Sequence, residues 1–363
     1  MSRPLHALID LSALEHNLRV ARKKAQNSRI MAVIKANAYG HGLLSIASAL
    51  KAVDAFAVLE LDAAVKLREA GMRQPILLLE GFFSPTDLEI IDQYHLSTVI
   101  HHHEQLAMLA ISKPKNKINI FLKINTGMNR LGFLPEQGLA ALEILMANPL
   151  ISQITLMTHL ASADDPNKEE EINLQLKYFC TMLEKYHLPS SVANSAAILR
   201  YPVTHAEWVR PGIMLYGASP LIDKTAAELD LRPVMTVSSQ IIAIQHLAVN
   251  GKVGYGGQFQ AKQPMRIGVV ACGYADGYPR HAPTGTPVLV NGQRTRLIGR
   301  ISMDMLTVDL TGIENAEVGS QVILWGKELP IEEVAQSAGT ISYELFCALS
   351  SRVKTIIVAN ENQ

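Results

Sequence analysis

The sequence predicts an α/β protein in which an N-terminal (β/α)8 TIM-like barrel precedes a mainly β C-terminal domain. Over the first two-thirds of the chain, about eight short apolar runs alternate with helix-like amphipathic stretches. This alternation is typical of parallel strands joined by crossover helices, and it favours a closed barrel over an open sheet. After roughly Leu231 the apolar runs become strand-like and helical signals are few. We therefore expect a barrel domain over residues 1–230 and a β-rich domain over residues 231–363.

Local signals place the elements of the barrel domain. Ser12 is followed by Glu15 three residues later, and this capping-box spacing predicts the start of the first helix. Ser84 followed by Pro85 predicts another helix start, because a cap and then a proline is the favoured order. A long helix is expected around residues 169–187. The barrel strands are expected at residues 30–35, 55–59, 75–79, 97–100, 118–124, 154–159, 191–194 and 208–210.

The C-terminal domain is predicted from runs that have the texture of strands. These runs cover residues 234–244, 266–272 and 286–300. The last run contains Asn291 followed by Gly292, a pair that suits the type I′ turn of a β-hairpin. We therefore expect a hairpin at this point of a mainly β domain.

Composition excludes several classes of protein. The 363 residues carry 33 basic and 33 acidic side chains, so the formal net charge is zero and nucleic acid is not an expected partner. No apolar run approaches the roughly 18 residues of a membrane span. Cys180, Cys272 and Cys347 are far apart and odd in number, which indicates neither a disulfide framework nor a metal site. We expect a cytoplasmic protein.

Distinctive polar residues end the apolar runs of the predicted barrel. Because catalytic residues of such barrels lie at the carboxyl ends of the strands, these side chains are expected to converge on one mouth. Any one of them alone is more simply a rim residue that faces solvent, whereas all of them together favour a site. They are Lys35, Lys123, Asn125, His159, Asn194, Ser195 and Arg210.

The chemistry of these residues points to a phosphorylated carbonyl cofactor. A lysine that is removed from water has a lowered pKa and forms Schiff bases, which suits Lys35. The segment RPGIMLYG at residues 210–217 follows the last barrel strand and offers glycine-exposed backbone amides. Phosphates usually bind at this point of a barrel, and Ser195 adds a hydroxyl. Pyridoxal 5′-phosphate fits both requirements.

An ordered set of motifs resembles those of the alanine racemase family. Any one motif is modestly specific, but together they run in the order of the family through both predicted domains. The motifs are AVIKANAYGHG at 32–42, KINTGMNRLG at 123–132, THLA at 158–161, ANSAA at 193–197, RPGIMLYG at 210–217, GYG at 254–256, GYADG at 273–277, GRISMD at 299–304 and ISYE at 341–344.

The resemblance implies a pyridoxal-phosphate-dependent interconversion of L-alanine and D-alanine by two bases. Lys35 would carry the cofactor and act on the face of the D enantiomer, and Tyr255 would act on the L face. The resemblance also implies a homodimer with shared active sites, in which the second domain of one subunit completes the site of the other. The activity would supply D-alanine for peptidoglycan synthesis or serve alanine catabolism.

The resemblance assigns further roles by position. Arg130 and the backbone amide of Met303 would hold the substrate carboxylate, and Lys123 is carbamylated in many members of the family. His159 and Arg210 would form a hydrogen-bonded chain, with Arg210 facing the pyridine nitrogen of the cofactor. The implied phosphate contacts are Tyr39, Ser195, Gly212, Ile213 and Tyr343, and the implied residues at the entrance are Tyr274 and Asp304.

Three other functions are open at this point. A racemase for serine or another small amino acid would share the same motifs. A barrel-type decarboxylase should carry a carboxylate opposite the pyridine nitrogen and a late catalytic cysteine, for which Cys272 and Cys347 are the candidates. A non-catalytic cofactor-binding protein would consist of a lone barrel. Arg210 argues against the decarboxylase. Tyr255 argues against the decarboxylase and against the non-catalytic cofactor-binding protein.

Overall fold

The structure, a computed structural model, describes residues 3–358. The chain begins with strand β1 (His6–Asp10) and helix α1 (Leu11–Lys24), and eight parallel strands then close into a barrel in chain order. The predicted (β/α)8 barrel is therefore confirmed. Its strands are β2 (Arg29–Val33), β3 (Ala55–Val58), β4 (Ile76–Leu78), β5 (Ser97–Ile100), β6 (Ile118–Lys123), β7 (Ile151–Met157), β8 (Ser190–Asn194) and β9 (Trp208–Arg210).

Helices follow the barrel strands, as the alternating pattern predicts. The long predicted helix corresponds to α8, and Ser84 caps α5 together with Asp87, as expected from the sequence. Within residues 3–358, none of the helices is long and apolar enough to cross a membrane. The helices are α2 (Lys35–Tyr39), α3 (Leu43–Ala49), α4 (Leu61–Glu69), α5 (Pro85–Gln93), α6 (His103–Ile111), α7 (Pro135–Met146), α8 (Glu169–Tyr186) and α9 (Ser195–Arg200).

The start of helix α1 differs from the sequence prediction. The helix begins at Leu11, and its cap is Asp10, whose carboxylate accepts the backbone N–H groups of Ser12 and Ala13 at 2.9 and 3.1 Å. The hydroxyl of Ser12 donates to the same carboxylate at 2.6 Å. The predicted Ser12 cap is therefore wrong, because an acidic acceptor two residues earlier already satisfies the first free amides.

The second part of the chain is mainly β, as predicted. Asn291 and Gly292 have φ angles of 49° and 76° between β14 and β15, which confirms the predicted hairpin. Two helices, α10 (Ile331–Ala338) and α11 (Ser342–Ala348), precede the last strand. The strands are β10 (Met235–Leu247), β11 (Lys252–Val253), β12 (Phe259–Gln260), β13 (Met265–Val270), β14 (Pro287–Val290), β15 (Gln293–Arg296), β16 (Leu306–Asp309), β17 (Gln321–Trp325) and β18 (Lys354–Val358).

Strand β1 pairs with the second sheet and not with the barrel. It runs antiparallel to β10 and parallel to β18, in a sheet whose order is β15-β14-β17-β10-β1-β18. The N-terminal strand thus joins the β-rich part of the chain across more than 200 residues. The division into residues 1–230 and 231–363 stays a prediction, and the outer ends of both ranges lie outside the described residues.

One apolar core spans the barrel and the larger sheet. The same cluster of buried side chains contains Ile30 and Phe56 from barrel strands and Val237 and Trp325 from β10 and β17. Because close-packed interiors resist deformation, the strand ends at the barrel mouth are held by a rigid support. This rigidity fixes the positions of the polar side chains at the barrel mouth.

We expect Asp10→Ala to lower the free energy of unfolding by about 1 kcal/mol, because two amides at the start of α1 lose their acceptor. Ser12→Ala is the matched control, since it removes the residue that the sequence pattern favoured and leaves the carboxylate in place. Urea unfolding of both variants measures the effect. A larger loss in Ser12→Ala than in Asp10→Ala would contradict the Asp10 cap.

Candidate active site

Lys35 lies at the barrel mouth, two residues after strand β2 ends. It is the first residue of α2, and its side chain is half-buried. Burial lowers the pKa of its amine, and the nearby positive charge of Arg130 lowers it further. A larger fraction of this lysine is therefore unprotonated, and nucleophilic, than of a lysine in water.

The segment after Lys35 is a left-handed turn. Ala36, Asn37, Ala38 and Tyr39 have φ angles of 51°, 53°, 55° and 51°. Each such residue costs roughly 1–2 kcal/mol, and runs of them persist only where the surrounding structure fixes them. Strain of this kind often marks a functional position, and here it lies between Lys35 and Tyr39.

Tyr39 reaches from this turn to the loop after strand β9. A Cβ atom at position 212 would lie 2.7 Å from the Tyr39 hydroxyl, so only glycine allows this approach. The backbone N–H of Gly212 donates to Ser195 Oγ at 2.8 Å. Two hydroxyls and a glycine backbone therefore form one polar cradle.

The rest of the predicted phosphate set lies beside this cradle. Ile213 begins the buried 3-10 turn Ile213–Tyr216, directly after Gly212. The ring of Tyr343, from α11, lies 6.1 Å from the ring of Tyr39. The structure thus brings Tyr39, Ser195, Gly212, Ile213 and Tyr343 together, although they come from four separate segments.

Arg210 ends strand β9 and is almost completely buried, with 4% of its surface exposed. Its guanidinium donates to Ser191 Oγ at 2.6 Å and to the carbonyls of Thr158 and Val192 at 2.7 and 3.2 Å. Burial lowers its pKa to about 10, so the group stays charged at neutral pH. Within the described part of the chain, no carboxylate forms a salt bridge with it.

His159 lies between Arg210 and the end of strand β8. Its Nδ1 is 3.5 Å from the Arg210 guanidinium, and its Nε2 is 3.5 Å from the amide nitrogen of Asn194. Burial holds the pKa of His159 well below its usual range, and the positive charge of Arg210 adds to this effect. The imidazole is therefore neutral at neutral pH.

Lys123 and Arg130 line one small cavity together with His159. Lys123 ends strand β6 and is only 7% exposed. Burial lowers its pKa from an ordinary value of 10.5 to about 8, with contributions from Arg210 and Arg130. Within residues 3–358 its amine forms no hydrogen bond or salt bridge, although the charge of Glu80 partly offsets that of the neighbouring arginines. The mouth therefore gathers positive charge that a bound anion would balance.

The remaining predicted residues lie on loops of the β-rich C-terminal part of the chain. Tyr255 begins the 3-10 turn Tyr255–Gly257 and is 73% exposed, and Met303 is 53% exposed. Tyr274 and Asp304 flank the same loop pair, in which the N–H of Ala275 donates to the Met303 carbonyl at 2.9 Å. No described hydrogen bond or ring contact joins these four residues to the Lys35 cluster of the same chain.

An ionic cluster under these loops escaped the sequence analysis. Asp276 is buried, pairs with Arg3 at 2.5 Å and with Arg352 at 2.9 Å, and accepts the N–H of Gly273 at 2.8 Å. Arg3 also donates to the carbonyl of Asp304 at 2.8 Å. The motif GYADG contains Asp276, but its partners lie at both ends of the chain and no sequence spacing indicates them.

Comparison with known proteins agrees with this architecture. The family model described as the N-terminal domain of alanine racemase matches residues 9–220, and the model described as the C-terminal domain matches residues 234–357. The chain belongs to the alanine racemase family.

Two relatives named alanine racemase come from Nitrosomonas. The protein of Nitrosomonas eutropha is 63% identical over 361 residues, which cover 99% of this chain and all of the relative. The protein of Nitrosomonas europaea is 64% identical over 358 residues, covering 98% of this chain and 99% of the relative. The crystal structure of a biosynthetic alanine racemase from Pseudomonas aeruginosa superimposes with a TM-score of 0.96 and 44% identity, covering 98% and 99% of the two chains.

Membership of the alanine racemase family decides between the classes of function that the sequence left open. The chain is an isomerase with racemase activity, and it is neither a decarboxylase nor a non-catalytic lone barrel. The anchoring of Arg210 by Ser191, Thr158 and Val192, and not by a carboxylate, agrees with this outcome.

Lys123 provides a test of the charge balance at the mouth. Because its folded pKa of about 8 lies below its ordinary value of 10.5, the unfolded chain binds more protons between these values and stability rises with pH across them. Below pH 8 the cost of burying the cation is fully present. We therefore expect Lys123→Met to raise the melting temperature by a few degrees at pH 7. The increase should be smaller near pH 10.

Thermal unfolding in CO₂-free buffer at both pH values measures the effect of Lys123→Met. The matched control is Lys117→Met, which removes an exposed lysine just before the same strand. A stability gain that is equal at both pH values would show that the buried amine does not titrate in this window.

Proposed function

We propose that this chain interconverts L-alanine and D-alanine with pyridoxal 5′-phosphate, using Lys35 and Tyr255 as bases on opposite faces of the substrate. The observation that carries the proposal is a desolvated Lys35 at the mouth of a barrel where the buried Lys123 and Arg210 form no salt bridge within the described residues. The relatives and the structural neighbours are named alanine racemases, which supports alanine as the substrate.

The donor set at the mouth fits pyridoxal 5′-phosphate. The cradle of Tyr39, Ser195 and Gly212 offers the hydroxyls and the glycine backbone that suit a phosphate, and a Cβ at position 212 would collide with the Tyr39 hydroxyl. Ile213 and Tyr343 complete the cradle. The amine of Lys35 suits covalent attachment to an aldehyde. When bound, the cofactor supplies an electron sink for the negative charge that develops at Cα of the substrate.

Racemisation requires a proton acceptor and donor on each face of Cα. Lys35 Nζ takes or returns the proton on the face that D-alanine presents, and its lowered pKa supports this role. Tyr255 Oη does the same on the L face, from the partner subunit. A free tyrosine has a pKa of about 10. Tyr255 therefore requires cationic or hydrogen-bonding neighbours, for which His159 and Arg210 are our candidates.

The substrate carboxylate is held from both subunits in this proposal. Arg130 offers a planar guanidinium, which matches a carboxylate with two parallel hydrogen bonds. The backbone N–H of Met303 approaches the same carboxylate from the partner, on a loop that the Arg3–Asp276 pair supports. Tyr274 and Asp304 line the entrance through which the amino acid arrives.

Arg210 controls which reaction follows proton removal. We assign its guanidinium to the pyridine nitrogen of the cofactor. A cation that three protein acceptors fix in place disfavours a second positive charge on that nitrogen. Arg210 would thereby weaken the electron sink and keep the negative charge near Cα, where a proton from Lys35 or Tyr255 would complete racemisation and avoid transamination.

Lys123 is our candidate for carbamylation. Its pKa of about 8 leaves part of the amine neutral near neutral pH, and a neutral amine adds to CO₂ with release of one proton. The product is an anion that replaces a cation next to Arg130. It would balance the charge of the mouth and orient the Arg130 guanidinium toward the substrate.

A homodimer with shared active sites accounts for exposed residues in the β-rich C-terminal part of the chain. Tyr255 and Met303 are largely exposed in one chain, although aromatic and thioether side chains favour burial. In this proposal residues 231–363 of one subunit cover the barrel mouth of the other, and residues 1–230 bind the cofactor.

The biological role proposed here is the supply of D-alanine for peptidoglycan in the cytoplasm. Similarity to the Pseudomonas aeruginosa protein described as biosynthetic supports this direction. Catabolism of L-alanine uses the same chemistry in the same site, so the role depends on which enantiomer the cell provides.

Proton NMR in heavy water tests the proposed reaction. With purified holoenzyme and L-alanine, the α-proton signal should decay while a chiral assay detects D-alanine. Lys35→Ala should lose both this activity and the visible absorbance band of the lysine-linked cofactor. Retained racemase activity in Lys35→Ala would refute the assignment of Lys35, and turnover of L-serine without turnover of L-alanine would refute the proposed substrate.

Tyr255→Phe separates base catalysis from cofactor binding. We expect the absorbance band to persist, because Tyr255 belongs to the other subunit and not to the cofactor cradle. Exchange of the α-proton of L-alanine for deuterium should slow by about 10²–10⁴-fold, the range for loss of a general base. Exchange at the wild-type rate would show that another group is the L-face base.

A further inference from the structure

His41 is a buried group that the proposed reaction does not use. It follows the left-handed turn of residues 36–39, which sets the position of Tyr39 relative to Lys35. Because L-residues disfavour positive φ angles, contacts from outside the turn must hold this conformation. The relative position of the two functional groups depends on those contacts.

The imidazole of His41 closes the turn by hydrogen bonds. Its Nδ1 lies 2.7 Å from the carbonyl oxygen of Tyr39 and 3.1 Å from that of Ala38. Carbonyl oxygens only accept, so Nδ1 carries the proton and donates to both. Burial lowers the pKa of His41 to about 4, which leaves the ring neutral with this single proton. Its Nε2 has no partner within residues 3–358.

Aromatic contacts keep the imidazole in this position. The rings of Tyr216 and Phe346 lie 4.6 and 4.8 Å from it. Tyr216 also stacks on Tyr39 at 4.7 Å, and its hydroxyl donates to the carbonyl of Val33, the last residue of β2, at 3.0 Å. The ring of His41 is therefore packed against both the turn and the residue that ties the turn to the barrel strand.

We propose that His41 is a positioning residue that fixes the Lys35 amine relative to the Tyr39 hydroxyl by holding the carbonyls of Ala38 and Tyr39. The inference rests on the proposed function, in which Lys35 bonds to the aldehyde and Tyr39 contacts the phosphate. In this proposal His41 itself contacts neither the aldehyde nor the phosphate. Its role is to make the two attachments compatible with one rigid ligand.

This role differs measurably from a purely structural one. A histidine that only fills the core affects stability and leaves the relative affinities of ligands unchanged. Lys35 alone supplies part of the affinity for the cofactor, and the phosphate adds the rest. A positioning residue determines how large the contribution of the phosphate is. The ratio of the dissociation constants of pyridoxal and pyridoxal 5′-phosphate isolates this contribution, because the two ligands differ only in the phosphate.

The experiment compares two substitutions of His41 in the full chain. His41→Leu keeps a side chain of similar volume without a donor, whereas His41→Asn places an amide N–H near the position of Nδ1. His16→Leu is the matched control, since His16 also donates to a backbone carbonyl, that of Asp230 at 2.8 Å, outside this turn. Absorbance titrations of each cofactor-free protein with pyridoxal 5′-phosphate and with pyridoxal give both dissociation constants.

In His41→Leu we expect the dissociation constant of pyridoxal 5′-phosphate to rise about tenfold or more, the effect of losing a buried hydrogen bond. The constant of pyridoxal should change little, so the ratio falls. His41→Asn and His16→Leu should keep the wild-type ratio. Wild-type protein that binds neither ligand would refute the proposed cofactor, a result distinct from failure of this inference.

Two outcomes would overturn the role of His41. One is a folded His41→Leu protein with the wild-type ratio, which would show that the turn holds without the donor. The other is a reduced ratio in His41→Asn, because the amide N–H of this variant would then fail to replace the donor of the imidazole. The second outcome decides the matter even where His41→Leu does not fold.

Discussion

The desolvation of positive charge at the barrel mouth is the constraint on which the rest of the structure depends. Lys35, Lys123 and Arg210 come from three strand ends, are buried or half-buried, and form no salt bridge within the described residues. The charge of Glu80 acts on both lysines, but the neighbouring cations and burial outweigh it and lower their pKa values. Burying unpaired cations is costly, so a rigid barrel must hold them in place and their pKa values fall. Ligands that are anionic, such as a phosphate and a carboxylate, relieve this cost. The same feature that costs folding free energy at the mouth therefore favours anionic groups, such as the phosphate and the carboxylate of the ligands that we propose.

The strain in the turn after Lys35 has a related origin. In the proposed function, the Lys35 amine and the Tyr39 hydroxyl approach one small ligand from different directions, and a right-handed helix would carry Tyr39 along another path. The left-handed conformation of residues 36–39 brings Tyr39 against Gly212. Glycine suits position 40 for two reasons, because its φ is 76° and because a side chain there would collide with the carbonyl of Phe346. The surrounding rings of Tyr216 and Phe346 belong to two other segments, so the strain is distributed over the fold.

Local periodicity predicted the barrel, the long helix α8, the Ser84 cap and the Asn291–Gly292 hairpin, because each of these depends on neighbouring residues. The strand ends also identified the cluster of cations, since parallel strands bring their carboxyl ends to one side. Local sequence patterns could not predict pairings between residues that are far apart in the chain. Strand β1 joins β10 and β18, and Arg3 pairs with Asp276 across 273 residues. The Ser12 cap failed for a subtler reason, because an aspartate two residues earlier competes for the same amides and the spacing rule does not weigh the two acceptors.

The two buried lysines illustrate how one physical effect yields different chemistry. Desolvation lowers the pKa of both, so each has a larger neutral fraction than a lysine in water. Lys35 is half-buried at the open end of β2 and accessible to a ligand as large as a pyridine aldehyde. Lys123 is 7% exposed inside the ring of strands, where only a small electrophile can reach it. Carbon dioxide meets that requirement, and the anion it would form lies where the positive charge is densest. Accessibility therefore separates the two proposed roles, and the lowered pKa of each amine favours both of them.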